Sequence, residues 1–380
     1  MTQDKRKKKP WKKYIMFVLS IVVPILIGGA IGLWGAENSR AMGGGEMPFP
    51  VVLLWICAII FITFILHIFI HEAGHLVFGL LTGYRFLSFR IGDLMWIKEN
   101  GRLKVKRLSI AGTGGQCLLL PPESSDENVP FVLYNLGGSI LNVVSGLLFF
   151  VLYLFFKDIE YLSEFLFLLS IIGIIFALLN GIPMKNALVS NDGYNARTCA
   201  KDSKALRAFL AQMRVVGQIS NGVRLKDMPE EWFSFTELEE MNDVISVTIG
   251  VFAENRLMDS HRFDEADQLA KQLFALESLA GLHRNLLLCD RIYCELIGEN
   301  RRDVLDIMRD EKQKKFMQSM KKFPSVLRTE YVYMLLAEKN TECADKIIGT
   351  FEKVARTYPY SCDIESEREL IEIAKQKIVQ

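Results

Sequence analysis

The amino-acid sequence predicts a mainly α-helical chain in two parts. A polytopic membrane helix bundle with a small β-loop insertion comes first, and a soluble all-α domain follows. Three observations carry this. Four long apolar runs, at 14–34, 51–81, 131–156 and 162–183, all precede residue 195, and each is long enough for the roughly 30 Å hydrocarbon core of a bilayer. Beyond residue 195, apolar positions recur at helical spacing among charged ones. Between the second and third runs, Tyr84 to Pro122 carries strand and turn signals. The expected domains are 1–195 and 196–380.

The first run follows Lys5-Arg6-Lys7-Lys8-Lys9 and Lys12-Lys13. Tyr14 to Trp34 is too long for a typical signal-peptide core and has no small-x-small cleavage site after it, so a retained anchor is expected. Its Gly28-x-x-x-Gly32 is a weak helix-packing pattern. By the positive-inside rule the basic cluster stays cytoplasmic. Four crossings then return the C-terminal domain to the cytoplasm, together with the loop that holds Arg85, Arg90, Lys98, Arg102, Lys104, Lys106 and Arg107. The compact four-run core leans toward a bacterial plasma membrane. A net charge of +1 gives no reason to expect nucleic acid. Seven scattered cysteines without a C-x-x-C pair read as reduced thiols.

The second run holds the chemistry. Val51 to Ile70 has no ionisable residue except His67 and Cys57, and then come His71-Glu72-Ala73-Gly74-His75. Polar groups at such depth are functional candidates by default. On a helix, His71 and His75 are i and i+4, so both imidazoles face one ion, with Glu72 beside them to handle the proton of a metal-bound water. Residues 51–81 would cover about 45 Å, which puts His71 in the cytoplasmic part of the bilayer. A catalytic zinc has three protein ligands and an open position. The best third candidate is Asp192, in Asn191-Asp192-Gly193 beyond the end of the fourth run, after Asn180-Gly181-Ile182-Pro183. In the third run, Gly138, Asn142, Ser145 and Gly146 share one face, and Asn142 is placed to hold a substrate carbonyl or an oxyanion.

These three motifs, in this order on three runs, resemble the site-2 protease family of intramembrane zinc metalloproteases over residues 50–195. The resemblance implies zinc ligation by His71, His75 and Asp192, general-base work by Glu72, and a substrate flanked by Asn142 and Asn180. Two departures stand out: Ser139 replaces the usual proline of the middle motif, and the stretch from Pro183 to Asp192 is several residues longer. Phe86 to Ile97 and Leu103 to Leu108 read as strands around Glu99-Asn100-Gly101, and Gly114 to Leu120 reads as another strand. Family members carry a β element here that dips toward the active site. A helical substrate must unwind before it is cut, and a free strand edge near Gln116 can accept the unwound segment by strand addition.

His67 reads either as a group supporting His71 or as a buried histidine bonded to another helix. In the soluble part, Arg262 to Ala266, Arg301 to Leu305 and Thr341 to Asp345 suggest helix–turn–helix units about 39–40 residues apart. A helical-repeat array and an ordinary bundle fit equally, and a repeat surface would suit a peptide or protein partner. The expected activity is proteolysis of a membrane-spanning or membrane-anchored substrate near the cytoplasmic face. The alternatives are an inactive membrane scaffold that binds a partner through the helical domain and, more weakly, a metal transporter.

Overall fold

A computed structural model describes residues 49–99, 101–110, 113–122, 129–159, 161–184, 190–234 and 241–378. The apolar run at 14–34 lies outside the described residues. Three apolar helices precede the helical domain: α1 (Phe49–Leu81), α2 (Phe131–Phe155) and α3 (Leu162–Gly181). Within them Cys57–Leu81, Phe131–Phe155 and Leu162–Gly181 are long and apolar enough to cross a membrane.

Their burial is the reverse of a water-soluble bundle. Phe61, Ile62 and Phe69 on α1, Leu147, Leu148 and Val151 on α2, and Leu178 and Leu179 on α3 are exposed. Thr63, His67, His71, Glu72 and His75 on α1, Ser139 and Asn142 on α2, and Ser170 on α3 are buried. Lipid-facing helices need this arrangement, because hydrocarbon penalises an unpaired polar group and not an exposed leucine. Small residues bring α1 and α2 together. A Cβ on Gly137 would stand 2.6 Å from Gly74 O, so the two backbones touch.

Between α1 and α2 the chain forms β1 (Arg85–Ile91), β2 (Leu94–Glu99), β3 (Arg102–Arg107) and β4 (Gly115–Leu120). They make one antiparallel sheet in the order β3-β2-β1-β4, with β4 on an edge. The sequence reading of Phe86 to Ile97 as a single strand is corrected here. Ile91 pairs with Leu94 around a two-residue Gly92-Asp93 turn, with Gly92 at φ +59°. That turn needs positive φ, which glycine supplies, and apolar residues on both sides of it mask the break.

The sheet belongs to the helical core as much as to the apolar helices. Met95 and Ile97 are fully buried and share a core with Val215, Ile219, Ile364 and Leu370. The helices that follow are α4 (Asp192–Lys201), α5 (Ser203–Ser220), α6 (Val244–Asp259), α7 (Phe263–Phe274) and α8 (Gly281–Ile297). After them come α9 (Arg302–Met308), α10 (Glu311–Ser319), α11 (Pro324–Val332), α12 (Thr341–Ala355) and α13 (Ser361–Gln376). Asn191, Asp202, Asp243, Asp310 and Asn340 cap their N-termini by accepting from backbone N–H groups. The three repeat-like segments do open helices, but α7, α9 and α12 have 12, 7 and 15 residues, so the units are unequal. Phe61–Gln380 forms one compact unit, with β4 packed on α5 across residue 195.

Candidate metal centre

Helical geometry places His71 and His75 one turn apart on α1, with their Nε2 atoms 3.2 Å from each other. Asp192, the first residue of α4, brings Oδ2 to 3.0 Å from His71 Nε2 and 3.3 Å from His75 Nε2. One ligand atom from each residue fits within a span of 4.8 Å. Burial pushes the Asp192 carboxyl up, but His75 and His71 outweigh it and hold the group well below the usual carboxylate range.

Asn191 and Gly193 explain how Asp192 reaches this place. Asn191 Nδ2 donates to Leu179 O and Ile182 O, both at 2.7 Å, and its Oδ1 accepts from Met184 N and Tyr194 N. One side chain therefore ties the end of α3 to the start of α4. A Cβ on Gly193 would collide with Gly181 O, so glycine is needed for that approach. The motif thus divides its work: Asn191 pins, Asp192 faces the histidines, and Gly193 lets the backbones meet.

The donor set can hold a metal ion. Two imidazoles and one carboxylate are a common ligand set with an open fourth position. His75 Nδ1 donates to Tyr134 O at 2.8 Å, which leaves the Nε2 lone pair free for a metal. His71 Nδ1 lies 3.4 Å from Asn142 Nδ2, while Asn142 Oδ1 is buried with no partner among the described residues. Amide oxygen and nitrogen are distinguished by their hydrogen-bond network. With the Asn142 amide turned over, Oδ1 accepts from His71 Nδ1–H, and His71 too presents its Nε2 lone pair. Behind it, His67 Nε2 donates to Leu169 O at 2.7 Å. His67 therefore takes the second reading, a buried histidine bonded to another helix, α3. Gly138 makes room for the His71 ring, since a Cβ there would stand 2.5 Å from His71 Cε1.

A cavity of about 550 Å³ opens on the cluster, and His71, Glu72, His75, Asp192, Asn180 and Gln116 are on its wall. Asn142 is fully buried behind His71 and is not on that wall. Asn180, with Nδ2 donating to Phe176 O, is the asparagine that borders the space. Glu72 is 8 % exposed and lies under β4, where a Cβ on Gly115 would stand 2.6 Å from Glu72 Oε1.

Arg90 fixes that piece of backbone. It is 1 % exposed, and burial draws its pKa down. Nη1 donates to Gly92 O at 2.6 Å, and Nη2 donates to Thr113 Oγ1 and Gly115 O at 2.7 and 3.2 Å. Sequence reasoning missed Arg90, Asn191 and Tyr134. An asparagine just before a helix start is a recognisable cap signal. Arg90 hides among the loop's other basic residues, and Tyr134 acts on His75 through its carbonyl, which leaves no side-chain signature.

Compared with known proteins, the chain matches no family model, no curated protein and no solved structure.

Proposed function

We propose that this chain is an intramembrane zinc metalloprotease of the site-2 protease type. Its substrate would be a membrane-spanning or membrane-anchored peptide, cut near the face that carries the helical domain. The observation that carries this reading is the meeting of His71, His75 and Asp192 within 4.8 Å, with Glu72 on the wall of the same cavity. Inward polar faces on three apolar helices support a polytopic bundle around that site. The basic loop and N-terminus support a cytoplasmic helical domain.

When bound by His71, His75 and Asp192, zinc would supply Lewis acidity for the scissile carbonyl and lower the pKa of a water to about 7. Glu72 would accept the proton of the attacking water on its carboxylate and hand it to the leaving amide nitrogen. Asn180 stands on the wall where a substrate carbonyl can be held. β4 is the outermost strand of the sheet, where an unwound segment would add by strand pairing. Intact His71, Glu72 and His75 favour this reading over an inactive scaffold.

Metal analysis of the purified full chain tests it. Wild type should hold about one zinc, as a three-ligand site predicts, and His71→Ala and Asp192→Ala should hold none. Zinc kept by Asp192→Ala would move the third ligand elsewhere, and no zinc in the reloaded wild type would remove the proposal.

A further inference from the structure

A second cavity, of about 330 Å³, adjoins the first among α5, α6, α8, α11 and α13. Gln116, Leu118, Val216, Thr248, Phe252 and His283 line both spaces. Side chains alternate along β4. Cys117 and Leu119 are buried in a core with Tyr134, so Gln116 and Leu118 take the other face, toward the second cavity. A strand added beside β4 would point its matching side chains to that same face.

The wall is apolar over much of its area, with Leu286, Leu287 and Phe323 among its residues, but its charges are unbalanced. Asp259, Asp290, Asp363 and Glu367 stand against Arg224 and Arg328. Asp259 is bonded to Arg224, and Asp290 and Glu367 to Arg328. Arg224 is shared further with Glu369. Asp363, one turn before Glu367 on α13, has no cationic partner among the described residues; its hydrogen bonds come from Cys362 and Tyr358. Burial and the nearby Asp259 push its carboxyl up to about 7. A cation entering the cavity relieves both effects.

Two further groups wait for a partner. Arg328 is fully buried on this wall, and its Nη1 has no acceptor among the described residues. His283 Nδ1 is shielded from solvent and has no hydrogen-bond partner among the described residues. Buried polar atoms are rarely left so, and a peptide backbone supplies both an acceptor and a donor.

We propose that this cavity is a specificity subsite for a lysine or arginine side chain of an extended peptide lying along β4. The inference rests on the proteolytic reading, because β4 borders the metal centre. The aliphatic stem would lie on the apolar wall and the charged head would reach Asp363 and Glu367.

The test uses the full chain in lipid nanodiscs, carrying Glu72→Gln so that probes stay whole. The probe is a single-span peptide with an extended serine and leucine stretch after the span. One residue of that stretch is changed in turn to lysine, norleucine or glutamate. Lysine at one position, or at two alternating ones, should bind about tenfold tighter than norleucine. Asp363→Asn should erase that preference and leave the norleucine probe unchanged. No preference at any position, or one that survives both Asp363→Asn and Glu367→Gln, overturns the subsite. A benzophenone at the preferred position gives a check that needs no cavity substitution. It should label Pro324–Val332 or Ser361–Gln376, and labelling confined elsewhere also overturns the proposal. The wild-type chain separates the two readings. Cleavage without lysine preference removes the subsite alone, and lysine-selective binding without cleavage removes the proteolytic reading alone.

Discussion

Asp192 Oδ2 lies 3.0 Å from His71 Nε2, although 121 positions separate the two residues. Asn191 holds the Asp192 end by tying α3 to α4. At the other end, Gly138 makes room for the His71 ring.

Glu72→Gln should keep zinc and fold, because the amide has nearly the same shape under Gly115. Turnover should fall by about 100-fold to 10,000-fold, the usual contribution of a positioned base. Zinc analysis beside a cleavage assay reads both, and retained cleavage would take the base role from Glu72.

Asn142 and Asn180 should separate cleanly. Asn142→Leu leaves His71 without the polar group behind it, so zinc affinity should drop about 10-fold to 100-fold. Turnover at saturating zinc should stay near wild type. Asn180→Ala should do the opposite, keeping zinc and lowering kcat. A kcat loss of about 100-fold or more for Asn142→Leu at full zinc occupancy would instead mark Asn142 as an oxyanion donor.

Arg90→Met should destabilise the chain by roughly 3 kcal/mol, since three acceptors lose their buried donor. Arg90→Lys should recover part of this. Thermal unfolding of the two variants beside wild type is the measurement, and equal midpoints for all three would show that the clamp carries no stability.

Asp363 makes stability depend on pH. Its folded carboxyl sits at about 7, while the unfolded group titrates at its ordinary 3.8. Between these values the folded chain holds a proton that the unfolded chain has lost, so stability falls as pH rises through the window and stays low above it. Asp363→Asn should therefore raise the unfolding midpoint at pH 8, by about 2 °C or more, and give no such gain at pH 4. The same shift at both pH values would contradict this.

Much of this was legible in the residues. The i, i+4 spacing of His71 and His75 fixes a shared face on any helix, and all-apolar runs allow few alternatives to α1, α2 and α3. Nearest-neighbour rules did not reach the Gly92-Asp93 turn, because Ile91 and Leu94 keep the run apolar through it. They did not place Asn142 either. From helical spacing alone, a residue facing the bundle can lie on the cavity wall or behind a ligand. Its place depends on the α1–α2 separation, which the contact of Gly74 with Gly137 sets.

Local periodicity and side-chain chemistry act within a few residues, and they were enough for the apolar helices, the paired histidines with their glutamate, and the edge strand at Gln116. That Asp192 meets the histidines, that Asn142 stands behind His71, and that the cavity beside Asp363 adjoins the one beside Glu72 comes from the folded chain alone. Those relations are distances between segments far apart in the chain. They are set by packing and by satisfying buried polar groups, which no local window contains.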